Sequence, residues 1–141
     1  MNEWIARSGR WRGPYTGKKR SERLPIQSQS TIYAEAWEAT AGIDELARIA
    51  RACDQAGFLY VAVCDHVAIP SDLAPKMSTS WWDTMTTLGY LAGITTDVRL
   101  MSHVYVLPYR HPLMTAKAFL TLDEISHGRA LLGAGAGHVE A

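Results

Sequence analysis

The chain of 141 residues is long enough to bury a core, and its hydrophobic fraction of 48% is ordinary for a globular domain. No run approaches the roughly 18 apolar residues of a membrane span, and the basic N-terminus lacks the apolar stretch of a secretory signal. The net charge is zero, and the only cysteines are Cys53 and Cys64. We therefore expect no disulfide framework and a cytoplasmic location.

The first 23 residues form a basic segment that differs from the rest of the chain. They hold seven Lys or Arg and two acids, with no helical or strand periodicity. We interpret residues 1–23 as a disordered extension, or as translated sequence upstream of the natural start. The alternative is an arm whose cations pair with phosphates while Trp4, Trp11 and Tyr15 stack on bases. We favour the first interpretation and expect neither a nucleic-acid nor a membrane partner.

From Leu24 onward the hydrophobic pattern alternates between strands and helices. The predicted elements are a strand at Leu24–Ser30, a loop at Thr31–Ala41, a helix at Ile43–Ala56 stopped by Gly57, a strand from Tyr60, a polar loop at Ser71–Ser80, a helix at Trp81–Ala92 stopped by Gly93, a strand at Val98–Leu107, a helix at Leu113–Ser126 between Pro112 and Gly128, and a strand at Ala130–Leu132. A helix between successive strands predicts an α/β fold with a parallel sheet, right-handed crossovers and the helices on one face.

Polar residues and glycines interrupt or follow three of these strands. The run Tyr60–Cys64 is apolar on both faces, which is typical of a strand covered on both sides. The residues in question are Asp65-His66 after this strand, Ser102-His103 within the next, and Gly133, Gly135, Gly137 and His138 after the last. Because α/β proteins bind ligands at the carboxyl ends of parallel strands, we expect a site there.

Two segments carry a resemblance to a known family. They are AGFLYVAVCDHVAIP at residues 56–70 and TTDVRLMSHVYVLPYRHPLMTAKAFLTLDEISHGRALLGAGAG at residues 95–137. Together they resemble the N-terminal half of the bacterial luciferase-like monooxygenases, most nearly the branch that uses the deazaflavin coenzyme F-420 or a flavin such as FMN. Family members are TIM barrels that bind the cofactor across the carboxyl ends of the strands. The resemblance implies that residues 24–141 form a partial barrel domain of about four βα units, because a full barrel needs roughly 250 residues.

The resemblance implies an oxidoreductase that acts on a small-molecule substrate. Its chemistry would be hydride transfer with F-420, or oxygen chemistry with reduced flavin. The alternatives are a truncated half-barrel that binds a cofactor or a partner without turnover, and an unstable remnant. The open sheet edges of a half-barrel lead us to expect a homo-oligomer or a missing C-terminal half.

The resemblance also assigns roles to the polar residues. His66 would face the reactive ring of the cofactor, where an imidazole, with an unperturbed pKa of about 6.5, can donate or accept a proton. Asp65 would orient His66 or bind the cofactor, although an aspartate at a strand end also commonly caps the next turn. Ser102, His103 and Val104 would back the ring, with a cis peptide bond between His103 and Val104; an ordinary strand with a hydrogen-bonded histidine is the alternative.

The glycine series at the last strand does not fit a dinucleotide-binding motif. The spacing would need a third glycine at the position of His138, and no helix follows. We expect Gly135 and Gly137 to let the backbone approach the cofactor closely. The histidines show neither HxH nor HxxxH spacing, so we expect no metal site.

Overall fold

The computed structural model describes residues 26–27, 41–75 and 81–137. Strands and helices alternate in this part of the chain. They are β1 (Ile26–Gln27), α1 (Ile43–Gln55), β2 (Tyr60–Val63), α2 (Thr84–Ile94), β3 (Arg99–Val106), a 3₁₀ turn (Leu107–Tyr109), α3 (Pro112–Ile125) and β4 (Ala130–Gly135). The predictions for residues 1–23, for most of the loop at residues 31–41 and for His138 lie outside the described residues.

The sheet is parallel throughout, and its strand order follows the sequence, β1-β2-β3-β4. This confirms the predicted strand order and direction. Between β2 and β3 the register is regular, from Tyr60 opposite Arg99 to Val63 opposite Ser102. Between β3 and β4 it shifts, because β3 advances three residues from Ser102 to Tyr105 while β4 advances two. That extra residue is a β-bulge.

The hydrophobic core lies between the sheet and the helices. The buried residues that form it are Leu46, Ala50 and Cys53 of α1, Val61 and Val63 of β2, Leu88, Leu91 and Ala92 of α2, Val98 and Leu100 at β3, and Leu122 of α3. The α1 residues follow three- and four-residue steps, as an amphipathic helix requires. Burying one such leucine or valine side chain contributes roughly 1.5–3 kcal/mol, so this layer fixes how the helices lie on the sheet.

Both ends of α1 are capped, and the predicted stop at Gly57 is confirmed. The backbone N–H of Gly42 donates to Glu45 Oε2 at 2.8 Å, which satisfies a donor before the first turn. At the other end Gly57 has φ +73°, in the left-handed region where glycine carries no steric penalty. The helix stops there and the chain turns into β2.

The predicted limits of the second helix are wrong by a few residues. The helix begins after Asp83, whose carboxylate accepts from the Thr86 N–H at 2.8 Å. It continues through Gly93 to Ile94. A Cβ added at Gly93 would meet no atom within 4 Å, so this glycine occupies an ordinary helical position. Gly93 is therefore not the helix stop that the sequence suggested.

The third helix lies between Pro112 and Gly128, the residues predicted to begin and end it. His111 caps it, because its Nδ1 accepts from the Leu113 N–H at 3.2 Å, and Pro112 takes the first helical position. Past its end, His127 and Gly128 have φ +58° and +83°. The Gly128 N–H donates to the carbonyl of Asp123 at 2.8 Å, which closes the helix.

The amino ends of the strands are closed by two charged side chains. Arg129 is 9% exposed, and its five N–H donors reach five protein oxygens. Those acceptors are the carbonyls of Ala92, Thr95, Val98 and Ser126 and the hydroxyl of Thr95. Asp54 accepts from the backbone N–H groups of residues 96, 97 and 98 and from the hydroxyl of Thr96. The turn into β3 is therefore held from both sides.

Within the described part of the chain, no helix combines the length and the hydropathy that a bilayer crossing requires.

Candidate functional site

The carboxyl ends of β2, β3 and β4 border a cavity of about 270 Å³. We call it the inner cavity. It brings together six of the seven residues that the sequence nominated, from three separate strand ends. They are Asp65, His66, His103, Val104, Gly135 and Gly137. The seventh, Ser102, is fully buried. The structure thus brings these residues together at this end of the sheet, while the binding site itself and the role of each residue stay predictions.

His66 lies just beyond β2, half-buried on the wall of the inner cavity. Its imidazole packs against the indole of Trp81, with ring centroids 4.3 Å apart and planes tilted by 51°. Trp81 precedes α2 and limits the orientations open to the imidazole.

Asp65 holds the ends of β2 and β3 together. It is 7% exposed. Its Oδ2 accepts from the Val106 N–H at 2.8 Å, and its Oδ1 accepts from the Thr84 hydroxyl at 2.9 Å. Arg110 donates to both oxygens, at 2.6 and 2.8 Å. These contacts join β2 to the end of β3 and the start of α2.

The charge state of Asp65 follows from those contacts. Burial opposes ionisation of the carboxyl, but the hydrogen bonds from Arg110, Val106 and Thr84 outweigh it and hold the pKa of Asp65 below its ordinary value. The hydrogen bonds to Asp65 in turn raise the pKa of Arg110. The pair therefore stays ionised at neutral pH, and its two charges compensate each other at the wall of the cavity.

Arg110 is a site residue that sequence reasoning missed. Its guanidinium lies over the ring of Tyr105, 4.2 Å from the centroid, and Tyr105 meets Phe119 of α3 edge-on at 5.1 Å. The sequence offered one usable signal, a single cation just past the third strand where the neighbouring strand is followed by an acid. Trp81 had no comparable signal, because nothing local predicts its contact with His66.

The bulge in β3 forms the wall of the inner cavity opposite His66. The peptide bond between His103 and Val104 is cis, as the resemblance implied. Beneath it, the Ser102 hydroxyl donates to the carbonyl of Gly133 at 3.0 Å and accepts from the Gly133 N–H at 3.1 Å. Ser102 therefore attaches β4 to the bulge; its predicted contact with a cofactor remains untested.

The glycines of β4 have a steric role within the sheet, whereas the expected approach of Gly135 and Gly137 to a cofactor stays a prediction. A Cβ at Gly133 would overlap the backbone carbonyl oxygen of Ser102, and one at Gly135 would come within 2.6 Å of Val104 Cγ2. These two glycines therefore let β4 approach β3 closely. The strand also continues through them to Gly135, beyond the predicted limit at Leu132. Gly137, with φ +84°, turns the chain after the strand.

The inner cavity has a backbone wall, an aliphatic wall and two imidazoles. One wall is the peptide plane of residues 103–104 beside Gly135 and Gly137, and an aliphatic wall comes from Val106 and Ile69. The imidazoles of His66 and His103 supply polar atoms at its edge. Across residues 41–75 and 81–137, no three His, Cys, Asp or Glu side chains group as a metal centre.

Comparison with known proteins identifies the family of the chain and its relatives. A family profile described as luciferase-like monooxygenase matches residues 23–141. The chain is 34% identical over 94 residues to the 5,10-methylenetetrahydromethanopterin reductase of Methanopyrus kandleri, covering 66% of this chain and 23% of that protein. It is 34% identical over 95 residues to the F420-dependent hydroxymycolic acid dehydrogenase of Mycobacterium tuberculosis, covering 67% of this chain and 25% of that protein. The chain thus spans about a quarter of the length of these curated relatives.

Solved structures extend the comparison. The coenzyme F420-dependent tetrahydromethanopterin reductase of M. kandleri aligns with a TM-score of 0.58 and 31% identity, over 70% of this chain and 25% of that one. The oxygenating constituent of 3,6-diketocamphane monooxygenase from Pseudomonas putida, in complex with FMN, aligns with a TM-score of 0.61 over 82% of this chain and 29% of that one. Its identity of 21% supports likeness of fold alone.

Proposed function

The chain belongs to the luciferase-like monooxygenase family, and we propose that it supplies the ring-binding wall and the proton-transferring histidine of an oxidoreductase that uses coenzyme F-420. FMN is the alternative cofactor. F-420 is favoured because the M. kandleri and M. tuberculosis relatives named for it share 31–34% identity with this chain. The FMN-bound neighbour shares only 21%.

The observation that carries this proposal is the convergence of six nominated residues on one cavity. In the proposed arrangement, His103, Val104, Gly135 and Gly137 hold the ring of the cofactor by backbone and aliphatic contact. When bound, F-420 supplies or accepts a hydride, whereas reduced FMN activates dioxygen. The Asp65–Arg110 pair keeps the strand ends in place and adds no net charge to the wall.

His66 moves the proton in this proposal. Its imidazole lies on the wall of the inner cavity and packs against the ring of Trp81, which restricts its orientation. An imidazole can give a proton to a substrate oxygen, or take one from it, near neutral pH. General acid–base catalysis of this kind contributes typically 10²–10⁴-fold to a rate.

The test compares two histidine variants of the protein that carries this chain. Coenzyme F-420 and FMN are titrated separately, and turnover is followed as oxidation of the reduced cofactor by a panel of ketones or by dioxygen. We expect His66→Ala to lower turnover about 10²-fold or more while cofactor affinity changes little. His127→Asn is the matched control, because His127 is exposed past the end of α3. Unchanged turnover in His66→Ala would assign His66 to structure.

We also propose that the sheet is part of a (β/α)₈ barrel that further strands complete. Among the described residues, β1 pairs only with β2 and β4 pairs only with β3. Leu132 of β4 is 50% exposed, so the described elements leave the side chain of this edge strand partly uncovered. The further strands come from a C-terminal continuation or from a second copy of this chain. Light scattering on residues 24–141 alone tests this: dimers or aggregates are expected, and a stable monomer at micromolar concentration would contradict the proposal.

The non-catalytic alternative makes a separate prediction. A half-barrel that only binds would take up F-420 or FMN without any turnover dependent on His66. In the histidine experiment this outcome would appear as binding by the parent protein with no oxidation of the reduced cofactor above background.

A further inference from the structure

A second concave surface adjoins the inner cavity at the carboxyl ends of the strands. We call it the rim groove. It is lined by the segment from Asp65 to Pro70, by Trp81 and Asp83 before α2, and by Tyr109-Arg110 after β3. The segment 65–70 and Tyr109 border both cavities. His66 therefore lies between the two, with the backbone wall on one side and the rim groove on the other.

The rim groove is apolar where it meets solvent. Val67 is 69% exposed and Tyr109 is 53% exposed, although both are large hydrophobic residues. Ile69, Pro70 and Trp81 extend the same surface. Contiguous apolar surface in a concavity, beside a few polar groups, is typical of a small-molecule site.

The charges of the rim groove disfavour an anionic ligand. Arg110 is the single Lys or Arg among its described lining residues, and its guanidinium is already paired with both oxygens of Asp65. The remaining charged side chain, Asp83, is acidic and 55% exposed. Its carboxylate also lies 3.9 Å from the Arg110 guanidinium, so a phosphate or carboxylate placed here would meet one cation that already faces two carboxylates.

We propose that the rim groove binds the substrate, and that this substrate is an uncharged, predominantly apolar molecule whose carbonyl or hydroxyl oxygen hydrogen-bonds to His66. The aliphatic part lies along Val67, Ile69 and Pro70, between the rings of Trp81 and Tyr109. Calling this ligand the substrate rests on the proposed function, whereas the binding preference itself does not.

Binding of simple ketones tests the preference without turnover. The probes are the 2-alkanones from butanone to 2-octanone, with octanoate as an anionic match in length, added to the protein that carries this chain. Affinity is measured by ligand-observed NMR. We expect the dissociation constant to fall about threefold for each added methylene. Octanoate should bind about tenfold more weakly than 2-octanone. A dissociation constant independent of chain length, or tighter binding of octanoate, would overturn the proposal.

Variants locate the binding. Trp81→Ala and Tyr109→Ala should each weaken 2-octanone about tenfold, and Trp81→Phe should retain most of the affinity. Tyr90→Ala is the matched control, because Tyr90 is 40% exposed on α2 and does not line the rim groove. Circular dichroism verifies that each variant is folded. Affinity equal to the parent's in folded Trp81→Ala and Tyr109→Ala would move the site elsewhere and overturn the proposal.

Separate titrations with F-420 and FMN distinguish the two proposals. Cofactor binding without any dependence on alkanone length overturns the rim-groove assignment and leaves the proposed function intact. Length-dependent alkanone binding without affinity for either cofactor supports the apolar groove and overturns the proposed function.

Discussion

At each end of the sheet an arginine and an aspartate hold the strand ends in place, but they do so through different contacts. At the amino ends, Arg129 and Asp54 bond the backbone of the turns around them. At the carboxyl ends, Arg110 and Asp65 bond each other. Arg129 is 9% exposed and has used all of its donors, whereas the Arg110 side chain is 22% exposed and borders a cavity.

This difference suggests that the amino end of the sheet serves stability and the carboxyl end serves binding. An arginine whose donors are all bonded to protein oxygens can take no ligand, and its loss leaves those oxygens buried without partners. An arginine that is paired with a carboxylate beside a cavity still exposes part of its guanidinium to that cavity. A ligand in the cavity can therefore contact it. In barrels of parallel strands, the amino face typically serves stability and the carboxyl face serves chemistry. The following predictions test whether that division holds here.

The largest effect is expected at the amino end. Arg129→Met should lower the free energy of unfolding by about 3–5 kcal/mol, because several buried carbonyls lose their donors at about 1–3 kcal/mol each. Chemical denaturation followed by circular dichroism measures it. Arg51→Met is the control, because Arg51 is exposed on α1 and its substitution should stay within about 0.5 kcal/mol. A loss below about 1 kcal/mol in Arg129→Met would remove the contrast between the ends.

The close approach of β4 to β3 is the next most sensitive feature. Gly133→Ala would place a Cβ against the Ser102 carbonyl, so the free energy of unfolding should fall by about 2–3 kcal/mol. Gly93→Ala, at an open helical position, should instead raise it by about 0.5–1 kcal/mol. Equal denaturation midpoints for the two variants would show that β4 can move away from the bulge at little cost.

A smaller effect on stability is expected at the carboxyl end. Arg110→Met should lower the free energy of unfolding by about 1–2 kcal/mol, less than Arg129→Met, since the ion pair is partly open to solvent. It should also raise the pKa of Asp65, because burial then opposes ionisation with fewer hydrogen bonds against it. NMR titration of the Asp65 carboxyl measures the shift. A pKa unchanged by the substitution would mean that Val106 and Thr84 suffice to hold the charge.

The smallest expected effect is on how the stability of the fold depends on acidic pH through Asp54. Hydrogen bonds from residues 96–98 outweigh burial and lower the pKa of Asp54 in the folded chain. The unfolded chain therefore takes up the proton first. The stabilisation is complete above the ordinary aspartate pKa of about 3.9 and is lost as the pH falls through the lower, folded value. Asp54→Asn should cost about 1 kcal/mol at pH 7 and flatten this acid dependence in denaturation between pH 5 and 2.

Asp72→Asn controls for the loss of one exposed negative charge in that experiment. An Asp54→Asn variant whose stability falls with acid as steeply as the parent's would place the acid sensitivity at the carboxyl end, with Asp65.

The sequence predicted those features of the fold that depend on neighbouring residues in the chain. Hydrophobic steps and left-handed glycines located α1 and the end of α3, and a helix between each strand pair gave the parallel order. Gly93 misled because a glycine inside a helix looks, in sequence, like one beyond its end. The close neighbours of the β4 glycines lie 31 positions earlier in the chain, at the Ser102 carbonyl for Gly133 and at Val104 Cγ2 for Gly135, so no local pattern reveals them.

The sequence could predict which strand ends lie together, but not which side chains contact one another there. Parallel strands bring their carboxyl ends to one edge, so Asp65, His103 and Gly135 had to lie near one another. The Asp65–Arg110 pair spans 45 positions and the Arg129–Thr95 contact spans 34. No periodicity joins such pairs, so their partners could be found only in three dimensions.

The additional residue in β3 shifts the alternation of its side chains between the two faces of the sheet. Leu100 belongs to the core under the helices, and Tyr105 meets Phe119 of α3 although it stands five positions later. Strict alternation forbids two residues at an odd separation from sharing a face. Deleting one residue from the bulge would turn Tyr105 to the opposite side and take away the ring under Arg110. The length of this strand is therefore as much a part of the site as the identity of its residues.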